Sequence, residues 1–533
     1  MSEAVTENLS GEEHKAEESN NNSEVKNEVK SETKNEVKNE NKKLSLTADN
    51  VLMIMAYVYV GLPITIFLLG FIRFYIAIPC AVAVGFCFYR LFKNITKEKT
   101  LNLSKKDMGF FIGAAVISFV WVLISGIGAI YYQNSDHEYR NAIFELLVNY
   151  EWPVRSWINI DGVISQRGLV YYIGFWMPSA VIGKMFGLGA GYFFQVIWAA
   201  LGIFLFYYLV CLFSGKVRLW PLVLFIFFSG LDIVGIFLMR YDLNGVTAIT
   251  HLEWWSSYQY SSFTTQLFWV FNQAVPAWVA LMLILNQKNN RYIVLILGST
   301  LLSSTLPFVG ILPIAAYAVF SRKYETIPEG KSKISVWFND TFTIENILGG
   351  GITGLMSFVF LRSNTAAGNI VAEESATGDV TLLFYFILLE AGIFWLFALK
   401  YNVKNVLFYI TLLWLIICPF VVIGSARDFC MRASIPALTM LYLYTVDAID
   451  KSLAEKNKLI FTGLMVIIIL GAVTPTHEIV RSLFYTNYGY YPIGGAYKVS
   501  VSEYDVISGY NFSAPCEDNL FYECFAKEDF SEY

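Results

Sequence analysis

Charge is what this chain has least of. Asp, Glu, Lys and Arg supply 15% of its 533 residues, against 56% for the hydrophobic types. No basic patch is interleaved with aromatic residues, which removes nucleic acid from the partners. No two cysteines have the CxxC spacing of a zinc site. Five of the seven, at 80, 87, 211, 418 and 430, fall in or beside apolar runs, where a thiol is a small buried hydrophobe. Cys516 and Cys524 stand in the C-terminal stretch, where an exported segment would allow a disulfide without requiring one. No apolar run follows Met1, so no cleaved signal peptide is expected, and the first span must direct insertion.

What is present is a succession of apolar runs near the length of about 20 residues that crosses a bilayer. The pattern predicts an all-α polytopic membrane protein with eleven full spans: Val51–Phe71, Ile76–Phe92, Met108–Tyr132, Tyr192–Phe213, Trp220–Met239, Phe268–Leu285, Ile347–Phe360, Thr381–Leu399, Leu407–Ile423, Phe429–Val446 and Leu459–Val473. The run Tyr292–Phe320 is too long for one crossing and too short for two. Ser303, Ser304, Thr305 and Pro307 break it, which predicts a re-entrant or short helical hairpin. Three regions result: a charged cytoplasmic tail over 1–47, a transmembrane domain over 48–475, and an extracytoplasmic segment over 476–533. In the tail, Ser23–Lys42 repeats every four residues, with Glu at 24, 28, 32, 36 and 40 and Lys at 26, 30, 34, 38 and 42. That period would stack like charges along a helix, and almost nothing apolar is available to bury, so the tail is expected to be disordered.

Basic residues set the orientation. Arg90, Lys93, Lys97, Lys99, Lys105 and Lys106 place the connection after the second span in the cytoplasm, and the N-terminus with it. The outer loops are then about 133–190, 240–265, 361–379 and 424–428. Tyr171–Phe186 is apolar but short and carries Pro178 and Lys184. Letting it cross would put Lys216 and Arg218 outside, so it is expected to lie in the interface, within a large first outer loop built of amphipathic helices.

On that face stand Asp136, His137 and Glu138, three consecutive ionisable residues at the end of a long apolar run. Partial desolvation there would raise a carboxylate's pKa and make Asp136 the stronger base. As a helix cap, Asp136 would simply pair with Arg140. Glu138 faces away from Asp136 on a helix; in an extended stretch the two would point the same way and could hold a divalent metal ion. His251 and Glu253 stand in the second outer loop. Arg427 and Arg432 bracket the start of a later span, where snorkelling to the headgroups or grip of a lipid phosphate both account for them, and Lys184 offers the same chemistry from the interfacial helix. Asp232 and Glu390 fall inside apolar runs, where an ionisable side chain either pairs internally or lines a polar cavity.

These features resemble the C-type membrane glycosyltransferase fold (GT-C): an acidic residue in the first large outer loop, interfacial helices after it, and short broken helices in mid-chain. The strings SDHEYRNAIFELLVNYEWPV (Ser135–Val154), YYIGFWMPSAVIGKMFG (Tyr171–Gly187), HLEWWSSYQYSSFTTQLFWVFNQAVPAW (His251–Trp278) and ARDFCMRASIPAL (Ala426–Leu438) are similar to segments of uncharacterised bacterial polytopic proteins of that kind. The resemblance covers most of residues 50–475. It implies transfer of a sugar from a polyprenyl-phosphate carrier to a glycan, lipid or protein acceptor on the outer face, usually with inversion. It implies Asp136 as catalytic base or metal ligand; His251 and Glu253 are secondary candidates for acceptor or metal contacts, and Glu138 and His137, which the family pattern does not demand, are candidate helpers by position alone. Arg432 would sit where basic residues bind the carrier phosphate, and Arg427 and Lys184 are candidates for the same contact from their own positions. Two alternatives stay open. A transporter or lipid-linked sugar flippase would use Glu390 but would tend to show two related halves, and no repeated half is found. A polysaccharide polymerase or ligase would differ mainly in its acceptor.

Overall fold

The computed structural model describes residues 47–95, 101, 103–160, 162–239, 251–324, 327, 329–368, 380–421, 428–488, 500–509 and 511–528. The charged repeat of the tail and Arg427 lie outside the described residues. The chain divides into two compact units, Met1–Val51 and Leu52–Tyr533. The first is described only from Thr47, where the helix Ala48–Phe71 begins. The second holds the helical bundle, its loops and the C-terminal segment.

Among the described residues, nine helices are long and apolar enough to cross a membrane: Ala48–Phe71, Phe74–Ile95, Lys106–Leu123, Leu188–Ser214, Trp220–Leu238, Phe263–Leu285, Val380–Asn402, Asp428–Ala454 and Lys458–Asn487. The chain is thus a multi-pass, membrane-integral helical protein. Two of the eleven expected spans differ. Ile347–Phe360 belongs to Glu345–Arg362, which forms a pair with Lys333–Thr341 bent by 46°, and Leu407–Ile423 is the shorter apolar helix Val406–Phe420. The third span is also shorter than expected. A Ser104–Asp107 capping box starts it. It stops at Leu123 rather than Tyr132 because Gly126 and Gly128 turn the chain at φ +88° and +81°, and Gln133 Nε2 donates to the Gly126 carbonyl at 2.8 Å.

The mid-chain break falls where the Ser-Ser-Thr-Pro sequence places it, between Ile293–Leu301 and Thr305–Phe320. Backbone freed inside an apolar bundle needs partners, and Gln273 of the Phe263–Leu285 helix supplies them. Ser304 Oγ donates to its carbonyl at 2.6 Å, and its side-chain oxygen accepts from Leu306 N at 3.3 Å. The Leu302 carbonyl accepts from Gly174 N at 3.2 Å, which ties the break to the first large loop.

That loop is only partly helical. It contains the helix Asp136–Asn149 and the ten-residue helix Met177–Phe186. At about 1.5 Å per residue the latter reaches about 15 Å, half a bilayer core. Between them, where amphipathic helices were expected, lies a β-hairpin of β1 (Arg155–Ile160) and β2 (Val163–Leu169). Ile160 pairs with Val163, leaving only Asp161 and Gly162 to connect the strands, and Gly162 takes φ +87°. Asp-Gly between β-branched residues is a hairpin signal, and the Ile, Val and Trp of the flanks favour strands. A third strand, β3 (Ser513–Pro515), pairs with β2, Gly168 opposite Ala514.

The C-terminal segment also reaches the start of the bundle. Arg73 N donates to Phe525 O, Lys527 N to Phe71 O, and Arg73 Nε to Ala526 O, each at 2.9 Å. The 71–74 junction, the first large loop and the C-terminal segment therefore share one end of the bundle, the three segments that the basic-residue rule puts together outside. Cys516, buried, and Cys524, exposed, are both thiols there.

Candidate functional site

Asp136 opens the helix Asp136–Asn149, with its backbone N–H donating to Asn134 Oδ1 at 3.1 Å. One turn on, Arg140 Nη2 donates to Asp136 Oδ2 at 2.8 Å. The two ends of this pair differ sharply in exposure: the carboxylate is 39% exposed, the guanidinium 6%. The same arrangement recurs on another element. In the helix Asp428–Ala433, Arg432 Nη1 pairs with Asp428 Oδ2 at 2.9 Å, with the carboxylate 38% exposed and the guanidinium 9%. Both are Asp-x-x-x-Arg at i,i+4, carboxylate at the rim and arginine inside.

The two pairs feel each other electrostatically. Asp136 lies within electrostatic reach of Arg432 as well as Arg140. Tyr171 lies within reach of both arginines, and its hydroxyl bonds to that of Tyr172. Burial alone would raise the Asp136 pKa. Arg140, with Arg432 adding to it, outweighs that and holds the carboxyl below its ordinary 3.8, the opposite of the upward shift expected from desolvation. Asp136 is therefore a carboxylate at neutral pH.

The arginines are not fully used. Arg140 Nε and Nη1 and Arg432 Nε are buried without a hydrogen-bond partner among the described residues. A buried donor left unmade costs about 1–3 kcal/mol, more when the group is charged. Three such donors on two neighbouring guanidiniums make a place that favours an anion.

His137 serves a different purpose. Its Nε2 faces the Phe268 carbonyl at 3.1 Å, which can only accept, so Nε2 carries the hydrogen and Nδ1 accepts from Gln133 Nε2 at 3.3 Å. The ring stacks on Phe271, which also lies under Arg140. Burial, and then the nearby Arg140 charge, lower its pKa from 6.5 to about 3. It is a neutral anchor that fixes the first turn of the Asp136 helix to the Phe263–Leu285 span. Glu138 is helical, about 200° around from Asp136, so the extended geometry that would let the two share a metal is not present. No group of three His, Cys, Asp or Glu among the described residues could hold a metal ion.

His251 and Glu253 enter a second network. His251 Nδ1 meets Glu478 Oε1 at 2.9 Å and Nε2 meets Glu253 Oε2 at 3.3 Å. Glu253 also accepts from Ser262 N and Gln259 Nε2, both at 2.8 Å. Glu478 accepts from Arg481 Nη2 at 2.6 Å and Trp269 Nε1 at 3.0 Å. Burial works to lower the His251 pKa, but the two carboxylates overcome it and push it up to about 10. His251 is thus an imidazolium clamped between carboxylates, holding the 251–262 segment onto the Val473–Tyr488 helix. The two networks meet the Phe263–Leu285 helix at adjacent residues, Phe268 and Trp269.

Lys184 is elsewhere. Its ammonium donates to Tyr150 O at 2.5 Å and lies over Trp152. That is the far end of the Asp136–Asn149 helix, about 20 Å along its axis from Asp136. The structure brings together Asp136 and Arg432 from the sequence-derived set, and adds Arg140, Tyr171 and Tyr172. The repeated Asp-x-x-x-Arg spacing was the available signal for Arg140. Nothing in the sequence marks the two tyrosines. Comparison with protein-family models, with curated proteins and with solved structures gives no match for this chain.

Proposed function

We propose that the protein is a membrane glycosyltransferase that moves a sugar from a polyprenyl-phosphate carrier to an acceptor hydroxyl on the extracytoplasmic face. One observation carries this: an ionised, partly exposed carboxylate beside two buried guanidiniums with N–H donors to spare. A lipid-phosphate sugar needs that combination.

Asp136 takes the proton of the acceptor hydroxyl as its oxygen bonds to the sugar C1. The bond from C1 to the phosphate oxygen breaks, and that oxygen leaves with the electron pair. Arg140 and Arg432 neutralise the charge that builds on the departing phosphate. Their donors are already oriented by their own Asp partners and by burial, so little reorganisation is needed at the moment of transfer. Tyr171, within reach of both arginines, and Tyr172, bonded to it and within reach of Arg432, would line the path between base and phosphate. A polysaccharide polymerase or ligase would share this chemistry and differ in acceptor. Transport or lipid flipping is favoured by a different feature, the buried pair of Asp232 and Glu390.

The test is turnover of labelled polyprenyl-phosphate sugars by purified protein. The wild type should transfer label, and Asp136→Asn should lose about 10²-fold or more, the usual worth of a positioned base. Undiminished turnover in Asp136→Asn would remove that residue as base. Absence of transfer with every sugar lipid would shift the weight to transport.

A further inference from the structure

Two spans are interrupted at the same place. The Trp220–Leu238 span breaks over 228–231, between Trp220–Phe227 and Asp232–Leu238. The Val380–Asn402 span widens into a π-helical turn at Leu388–Gly392, a departure common at functional positions. Leu231 N–H donates to Leu389 O at 3.2 Å, joining the two breaks. A Cβ at Gly230 would overlap the Glu390 carboxyl, so the break must present bare backbone there.

Each interruption delivers one carboxyl to the junction, Asp232 at 1% exposure and Glu390 at 3%. Trp255 offers its one indole N–H to both, at 3.2 Å to Asp232 Oδ1 and 3.1 Å to Glu390 Oε1. A single donor between two oxygens holds the carboxyls against each other. The Ser229 and Thr474 hydroxyls donate to Asp232 Oδ2 at 3.1 and 2.8 Å. Glu390 Oε2 is buried with no hydrogen-bond partner among the described residues.

The surroundings add further negative charge. Glu253 bears on both carboxyls. The cations of the region are one link further away and already engaged, His251 with Glu253 and Glu478, Arg481 with Glu478. Two ionised carboxylates in contact in a dry interior repel strongly. One proton held by the pair removes half of that charge and supplies an O–H donor where two acceptors would otherwise face each other, the arrangement of other carboxyl dyads.

We propose that Asp232 and Glu390 form a proton-binding site at the junction of two broken spans, holding one proton between them and exchanging it with water at the 251–262 end of the bundle. Only an O–H bond forms or breaks: the occupied pair carries one negative charge, the emptied pair two. Emptying it sets like charges against each other across the Leu231–Leu389 contact and loosens the junction. The site stands apart from the sugar-transfer proposal and shares no residue with it.

The experiment uses full-length protein in detergent and dicyclohexylcarbodiimide, an apolar reagent that attacks protonated carboxyls, with peptide mass mapping. The expected result is an adduct on Glu390 or Asp232 at neutral pH that declines as the pH is raised, is unchanged by added sodium or potassium chloride, and is missing at position 390 in Glu390→Gln. Two results would overturn the proposal: no adduct on either residue from acid to alkaline pH, or protection by sodium at fixed pH, which would make it a metal-cation site. A melting temperature for Glu390→Gln within a few degrees of wild type is also expected, because the amide N–H replaces the shared proton. Loss of the fold in that variant, together with no labelling of the wild type, would mean that the pair is ionised and structural.

Discussion

The decisive property of single residues here is how their neighbours divide exposure and charge. Asp136 and Arg140 form a pair that, both ends exposed, would be worth little. With the arginine 6% exposed, it becomes an anion-seeking group held in place by a carboxylate that reaches solvent. Because Arg140 depresses Asp136, the acid limb of the rate against pH should fall below 3.8, with no inflection near neutrality that belongs to this residue. His251 should behave oppositely in stability. Its pKa is raised from 6.5 to about 10, so its contribution is complete below pH 6.5 and disappears as pH rises through about 10. Melting temperature in detergent should therefore fall over that alkaline window in wild type and be flat there in His251→Gln. A parallel fall in the variant would show that His251 is not the group responsible. The sequence marked Asp136 and Arg432 through their positions at the ends of apolar runs. It could not show that His137 is a neutral anchor, because that depends on the Phe268 carbonyl, contributed by a residue more than a hundred positions away.

At the scale of elements, the breaks matter more than the spans. The sequence announces the 302–304 interruption through Ser303, Ser304, Thr305 and Pro307, and it lies there. It does not announce its partner, Gln273, in a helix whose own pattern is plainly apolar. Gln273→Ala removes the acceptor for Leu306 N but leaves the Gln273 carbonyl that holds Ser304. It should destabilise by about 1–3 kcal/mol, read as a lower melting temperature with the helical content of the folded state unchanged. An unchanged melting temperature would mean that water serves the break equally well. The β-hairpin was legible in principle. Asp161-Gly162 between Ile160 and Val163 is a short-range turn signal, masked by the expectation that a loop beside a membrane is built of amphipathic helices. The third strand was not legible, since β3 is three residues long and its partner lies some 345 positions earlier.

For the whole molecule, the sheet and the Phe71–Lys527 and Arg73–Phe525 contacts fix which segments share a side, and the basic loops predict that this side is the outer one. A membrane-impermeant maleimide should label exposed Cys524, and a cysteine placed at 138, from outside intact cells. Labelling only after lysis would invert the expected topology, and with it the face of the proposed sugar transfer. The apolar pattern was sufficient for a helical multi-pass protein, because burial in lipid requires it. The number of crossings was less so: nine helices among the described residues are long and apolar enough, while Val406–Phe420 is shorter and the 333–362 pair is bent.

Asp136 and Arg432, far apart in sequence, are proposed to act on one transferring sugar lipid. A double-mutant cycle in kcat/KM with Asp136→Asn, Arg432→Gln and the combination tests this most directly, since groups that act as a unit are strongly non-additive. A shared site predicts that the double variant loses little more than the worse single variant. Losses that simply multiply would mean that the two residues work independently, and would contradict a shared site.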